Sequence, residues 1–121
     1  MAKPSAHRPI DIVANSSRIR VRFAGRVIAD STRTLTLHEI SHAPVHYIPR
    51  DDVDMGLLTR TEHKSHCPYK GDATYFSISA GERTAENAVW TYEHPFPQVA
   101  PIAGYLAFYR DRVDGIQETP A

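Results

Sequence analysis

From Arg18 to Phe23 the chain alternates strictly, with Arg18, Arg20 and Arg22 on one face of an extended segment and Ile19, Val21 and Phe23 on the other. A period of two with one apolar face predicts a half-buried β-strand. Ala24-Gly25 then supplies a turn whose glycine accepts a positive φ, and an apolar run resumes over residues 26–29, so the two segments read as a hairpin. Residues 34–40 repeat the pattern, setting Thr34, Thr36 and His38 against Leu35, Leu37 and Glu39. A further strand over residues 45–48 follows the break at Pro44. Asp51, Asp52 and Asp54 cluster where a first helical turn favours acids, and Val53 stands four residues before Leu57, which predicts one short helix over residues 51–58.

Alternation returns over residues 73–79, with Phe76 and Ile78 against Tyr75, Ser77 and Ser79, and a strand over 88–92 follows a turn at 80–82. Three prolines within residues 95–101 force a loop, with a helical turn over 99–103, and residues 105–109 close the pattern as a last strand. The first nine residues are polar, carry two prolines and read as a disordered leader. The expectation is therefore one mainly-β domain over residues 10–116, built of packed antiparallel strands with one or two short helices, and a tail over 117–121. No fixed period recurs and no linker divides the chain.

Composition narrows the partners. Fourteen basic and fourteen acidic side chains cancel, and no run of Lys or Arg gathers the field that phosphates or anionic lipids need, so a nucleic-acid partner is disfavoured. No stretch approaches the ~18 consecutive apolar residues of a membrane helix, and the N-terminus has no apolar export segment, so the expected address is the cytoplasm. The single cysteine, Cys67, closes no intramolecular disulfide and excludes a four-cysteine zinc site. Neither cofactor nor metal is expected.

Three strings carry candidate chemistry. His38-Glu39-Ile40-Ser41-His42 matches the zinc metalloprotease pattern, which works only on a helix that stacks residues i and i+4. The threonine–leucine alternation before it predicts a strand, on which the two histidines stand about 13 Å apart and share no ion. His66-Cys67-Pro68-Tyr69-Lys70-Gly71-Asp72 places the only thiol near Lys64, His66 and Lys70, neighbours that favour a thiolate, although adjacent residues on a strand point apart and His66 is a poor base for Cys67. An unreactive buried cysteine is the plain alternative. In Tyr47-Ile48-Pro49-Arg50-Asp51-Asp52 a strand runs into charge, and Arg50 offers a planar fork for a carboxylate or phosphate, or pairs with a neighbouring acid. Nothing resembles a glycine-rich phosphate cradle.

The strings Val27-Ile28-Ala29-Asp30-Ser31, Tyr47-Ile48-Pro49-Arg50-Asp51-Asp52-Val53, Cys67-Pro68-Tyr69-Lys70-Gly71-Asp72-Ala73 and Glu86-Asn87-Ala88-Val89-Trp90-Thr91-Tyr92, with Ala107-Phe108-Tyr109 after them, resemble the bacterial "domain of unknown function 427" family. The likeness runs from about Ile10 to Gly115 and is most distinctive in its Cys-Pro-x-Lys-Gly string. It implies a small fold similar to the β-tent, or Mss4-like, topology, and no established activity. Groups sharing that topology commonly hold a structural zinc on two paired-cysteine motifs, which this chain lacks.

Trp90 and Tyr92 share one face of their strand, and Tyr75 lies opposite Phe76. A core with tyrosines at its rim accounts for this, and so does an aromatic-lined pocket between sheets. The functional expectation is a small-molecule binding domain in which Trp90, Tyr92, Tyr75 and Tyr47 form the wall, while Arg50 and Lys70 fix a polar or anionic end. The rivals are an enzyme using Cys67 as nucleophile or redox centre, and a protein-interaction module presenting edge strands. The sequence fixes no oligomeric state.

Overall fold

The computed structural model describes residues 10–121, and the leader expected over residues 1–9 lies outside them. Ten strands follow one another: β1 (Ile10–Asn15), β2 (Arg18–Phe23), β3 (Arg26–Ser31), β4 (Thr34–Glu39), β5 (Val45–Tyr47), β6 (Leu58–Cys67), β7 (Gly71–Ala80), β8 (Arg83–Thr91), β9 (Leu106–Phe108) and β10 (Gly115–Thr119). They form three antiparallel sheets, ordered β1-β4-β5, β10-β2-β3 and β6-β7-β8-β9. Ile48 and Leu106 exchange backbone hydrogen bonds of 2.8 and 2.9 Å, which stitch the end of β5 to β9.

The alternation read along the chain sorts its apolar residues into two cores. On β7, Ala73 and Tyr75 join one cluster and Phe76, Ile78 and Ala80 the other; on β9, Ala107 joins the first and Leu106 and Phe108 the second. Successive side chains of a strand leave opposite faces, so the four-stranded sheet is buried on both sides. One side meets Ile19, Val21 and Phe23 of β2, and the other meets Ile10 and Ile12 of β1 with Leu35 and Leu37 of β4. Tyr47, Tyr75 and Tyr92 gather in the second cluster, while the three strand phenylalanines, Phe23, Phe76 and Phe108, lie in the first.

Local chemistry explains the turns. Ala24 and Gly25 both take positive φ, at 53° and 74°, which suits the twist of a two-residue hairpin between β2 and β3. On β8, Asn87 sits at φ 49° where the strand bulges: Phe76 faces Val89, yet Ile78 faces Ala85. Asparagine tolerates this region, and its N–H donates to Ser77 Oγ at 3.0 Å.

Four expectations are corrected. Residues 51–58 form two short 3-10 turns, Arg50–Asp52 and Met55–Leu57, rather than a helix, because Val53 bridges Ala29 and the Asp54 N–H donates to Ile28 O at 2.9 Å. The open edge of β3 thus takes the backbone that a helix would have used internally. The turn expected at 99–103 is a 3-10 segment at Pro97–Ile102. Strand β9 is shorter than read and is not the last, because Gln117, Glu118 and Thr119, assigned to a tail, extend β10 along β2. Strand β6 carried no prediction at all. Its ten residues, LTRTEHKSHC, are exposed or half-buried throughout, so no apolar period marks them.

Candidate functional site

The site is built on the β6–β7 hairpin. Cys67 ends β6 and pairs with Gly71 at the start of β7, and the Lys70 N–H donates to Cys67 O at 3.2 Å to close the turn. Gly71 takes φ 116°, a conformation that side chains resist, and the Lys70 carbonyl beside it accepts from Phe96 N–H at 2.9 Å. This tight turn folds the Lys70 side chain back over the cysteine, where Nζ donates to Cys67 Sγ at 3.5 Å and to Glu39 Oε1 at 3.0 Å. The lysine and glutamate side chains are only 11% and 7% exposed, so the ion pair is largely withdrawn from water.

These groups edge a cavity of about 350 Å³ whose wall includes Tyr47, Tyr75, Trp90, Tyr92 and Tyr109. The sheet brings the rings together. Tyr75 and Trp90 are cross-strand partners on β7 and β8, Trp90 lies 4.5 Å from Tyr109 between centroids, and Tyr47 meets Trp90 edge-on at 6.3 Å. Leu37, Val45 and Ala43 complete the wall from β4 and the approach to β5. A smaller hollow of about 160 Å³, lined by Ile19, Val21, Ile48 and Phe108 among others, lies on the far side of Trp90 and Tyr109.

The phenols differ in what their hydroxyls do. Tyr75 bonds with Ser65 Oγ at 2.8 Å and contacts the Tyr109 hydroxyl at 3.4 Å. Tyr47 accepts from Trp90 Nε1 at 3.2 Å and has no acceptor for its own proton among the described residues. Tyr92 is 7% exposed and lines the cavity; its backbone carbonyl accepts from Gly104 N–H at 2.9 Å, and its hydroxyl makes no hydrogen bond to a described residue. Burial raises the pKa of Tyr47 and Tyr92 far above the ordinary phenol value and pushes Tyr109 up to about 12, so all three keep their protons at neutral pH.

Of the seven residues singled out in the sequence, six line this one cavity: Tyr47, Cys67, Lys70, Tyr75, Trp90 and Tyr92. The seventh, Arg50, does not line it. Its Nε donates to Gly104 O at 3.3 Å, its guanidinium lies 3.6 Å from Glu93 and 5.7 Å from the Phe76 centroid, and it borders a separate surface hollow. Proline at 49 and the 3-10 turn after it carry residue 50 away from the face that Tyr47 occupies.

His66 and Asp72 do meet, at 2.6 Å, but on the exposed outer face of the hairpin, opposite Cys67. His38 lies on strand β4 and His42 beyond its end, after Ser41 at φ 69°, so the metalloprotease spacing is not carried by a helix. Glu39, from that same string, lines the cavity. Its signal was legible as an acid on the Leu35–Leu37 face of an alternating strand, whereas the contribution of Tyr109 depends on how β9 packs.

The Cys-Pro-x-Lys-Gly string thus becomes the turn that sets thiol and ammonium side by side, and the Trp90–Tyr92 string becomes the aromatic wall facing them. No curated protein matches the sequence. The family model described as "Domain of unknown function (DUF427)" matches residues 11–119, and the chain belongs to that family.

Proposed function

We propose that the protein binds a small molecule in the cavity between Trp90 and the Cys67–Lys70 turn. The observation that carries this reading is the cavity itself, about 350 Å³, walled by Tyr47, Tyr75, Trp90, Tyr92 and Tyr109 and edged by Cys67 and Lys70. The volume lies at the small end of the usual range for ligand sites, and aromatic walls with a few polar groups are their usual make-up.

The charges favour a polar ligand over an anionic one. Lys70 is already paired with Glu39, and Arg50, the other cation considered, lies outside the cavity. A flat apolar body against Trp90, with a hydroxyl, carbonyl or amide reaching Tyr92 and Tyr47, fits that distribution. We place this binding in a reducing cytoplasm, where a lone thiol stays free. We also take the three sheets to be a β-tent of the Mss4-like kind without its zinc, a reading supported by the family resemblance.

Trp90 is the only tryptophan and stands in the wall, so its emission reports occupancy. Titration with a panel of small polar aromatics should shift that emission for at least one compound and raise the melting temperature. At about 100 times its Kd the ligand adds ~2.7 kcal/mol of stability. A panel in which no compound moves either signal counts against the reading, and loss of affinity in Y92F with an unchanged fold supports it.

A further inference from the structure

The larger cavity has a neighbour. Trp90, Tyr109, Val45 and Ala43 line both it and the hollow of about 160 Å³ behind the two rings, so a layer of shared side chains divides them. The two linings differ in kind. The larger cavity carries tyrosine hydroxyls, the Cys67 thiol and the Lys70–Glu39 pair, whereas the smaller is lined by Ile19, Val21, Ile48, Phe108 and Ile116. Ile19 and Val21 are fully buried and Ile48 and Phe108 nearly so, which places the floor of this hollow in the packed core. Its polar liners turn elsewhere. Trp90 Nε1 and the Tyr109 hydroxyl meet Tyr47 and Tyr75, which line only the larger cavity, while His46 is engaged by Thr36 and faces Glu118, and Arg110 is exposed.

We infer that this hollow is the apolar end of the same ligand site and takes a hydrocarbon group of about six carbons, since a hollow of ~150 Å³ lined by leucine, isoleucine and phenylalanine stays dry and binds benzene. The inference rests on the binding reading above and names its ligand class, an amphiphile. A flat ring bearing a polar group occupies the larger cavity, and a short alkyl chain reaches past Trp90 into the smaller one. Desolvation sets this orientation. A hydroxyl or amide in the smaller hollow would lose its water partners and find no replacement, whereas hydrocarbon placed there only sheds its hydration shell. Each methylene buried is worth about 4-fold in affinity. The gain ends when the hollow is full, so its volume limits chain length as its lining selects against polar groups.

The test uses phenol and the 4-n-alkylphenols up to 4-octylphenol on the full chain, read by Trp90 emission and melting temperature. Kd should fall about 4-fold per added carbon up to about six carbons and then level off. Ile116 lines the smaller hollow and not the larger, so Ile116→Trp should bind phenol as the wild type does while the chain brings no gain. Nuclear Overhauser contacts from the alkyl protons to the methyl groups of Ile19, Val21 and Ile48 give a readout that needs no variant and decides the matter should Ile116→Trp fail to fold. An equal gain per carbon in wild type and variant, a gain that continues undiminished to the octyl chain, or contacts to Leu37 in place of Ile19 overturns the inference. Phenol binding with no gain from the chain removes the apolar end and leaves the binding reading intact. No response to any member of the series overturns this inference and counts against the binding reading with it.

Discussion

Lys70 shows how much one side chain decides at this site. It contacts Cys67 Sγ and Glu39 together, from a position fixed by a turn that needs Gly71 at φ 116°. Replacing Lys70 by Met removes the ammonium that sits 3.0 Å from a largely buried Glu39 carboxylate, and the expected loss is about 3 kcal/mol. The double variant E39Q/K70M should recover most of that loss, because neither charge then remains; urea midpoints of the four proteins in the cycle measure it. Substituting Gly71 with Ala finds ordinary contacts at 3.6 Å around the added carbon, so its cost is conformational, ~1–3 kcal/mol. Denaturant melts should show it, together with a change in the Cys67 alkylation rate as the turn shifts.

At the scale of elements, legibility followed burial. Strand β2 buries one face completely, and its period of two marks both of its ends. Strand β6 buries neither face, and β10 offers only Ile116 to the core, so both exist through backbone pairing with neighbours that sequence spacing does not identify. The expected helix at 51–58 failed for the same reason, since the acids suited a helix but β3 offered an edge. Strand β10 is the clearest test of pairing without pattern. Truncation after Asp114 should lower the urea midpoint by an amount equivalent to several kcal/mol, because five residues stop pairing with β2 and each lost backbone hydrogen bond is worth about 1 kcal/mol. A midpoint unchanged by that truncation would identify β10 as dispensable.

At the scale of the whole molecule, β10 also ties the sheets together through His46. Asn15 Nδ2 donates to Thr36 Oγ1 at 3.1 Å and to Glu118 Oε2 at 2.9 Å, Thr36 Oγ1 lies 2.9 Å from His46 Nδ1, and His46 Nε2 lies 3.6 Å from Glu118 Oε1. With Thr36 accepting from Asn15, its own proton goes to Nδ1, which leaves the imidazole neutral with N–H on Nε2 toward Glu118. Burial lowers the His46 pKa below 6.5, with Arg110 and His38 adding to the shift and Glu118 opposing it. The unfolded chain therefore binds this proton first as pH falls, so stability is complete above about pH 6.5 and declines below it until the folded histidine also protonates. Urea midpoints between about pH 7.5 and about pH 5.5 should fall in the wild type and fall less in H46N; equal slopes would remove His46 as the cause. Two matters were settled by sequence alone. Alternation determined that the chain is mainly β and which faces of β2, β4, β7 and β8 are apolar, because side-chain direction repeats every second residue whatever the strand pairs with. It also set Tyr75 apart from Phe76 and Trp90 from Val89. Only tertiary structure decided that two separate cores form, that Glu39 meets Lys70 from 31 residues away, and that Arg50 stays out of the cavity. Those outcomes depend on which sheet packs on which face and on where a turn aims a side chain, and neither is written in a local period.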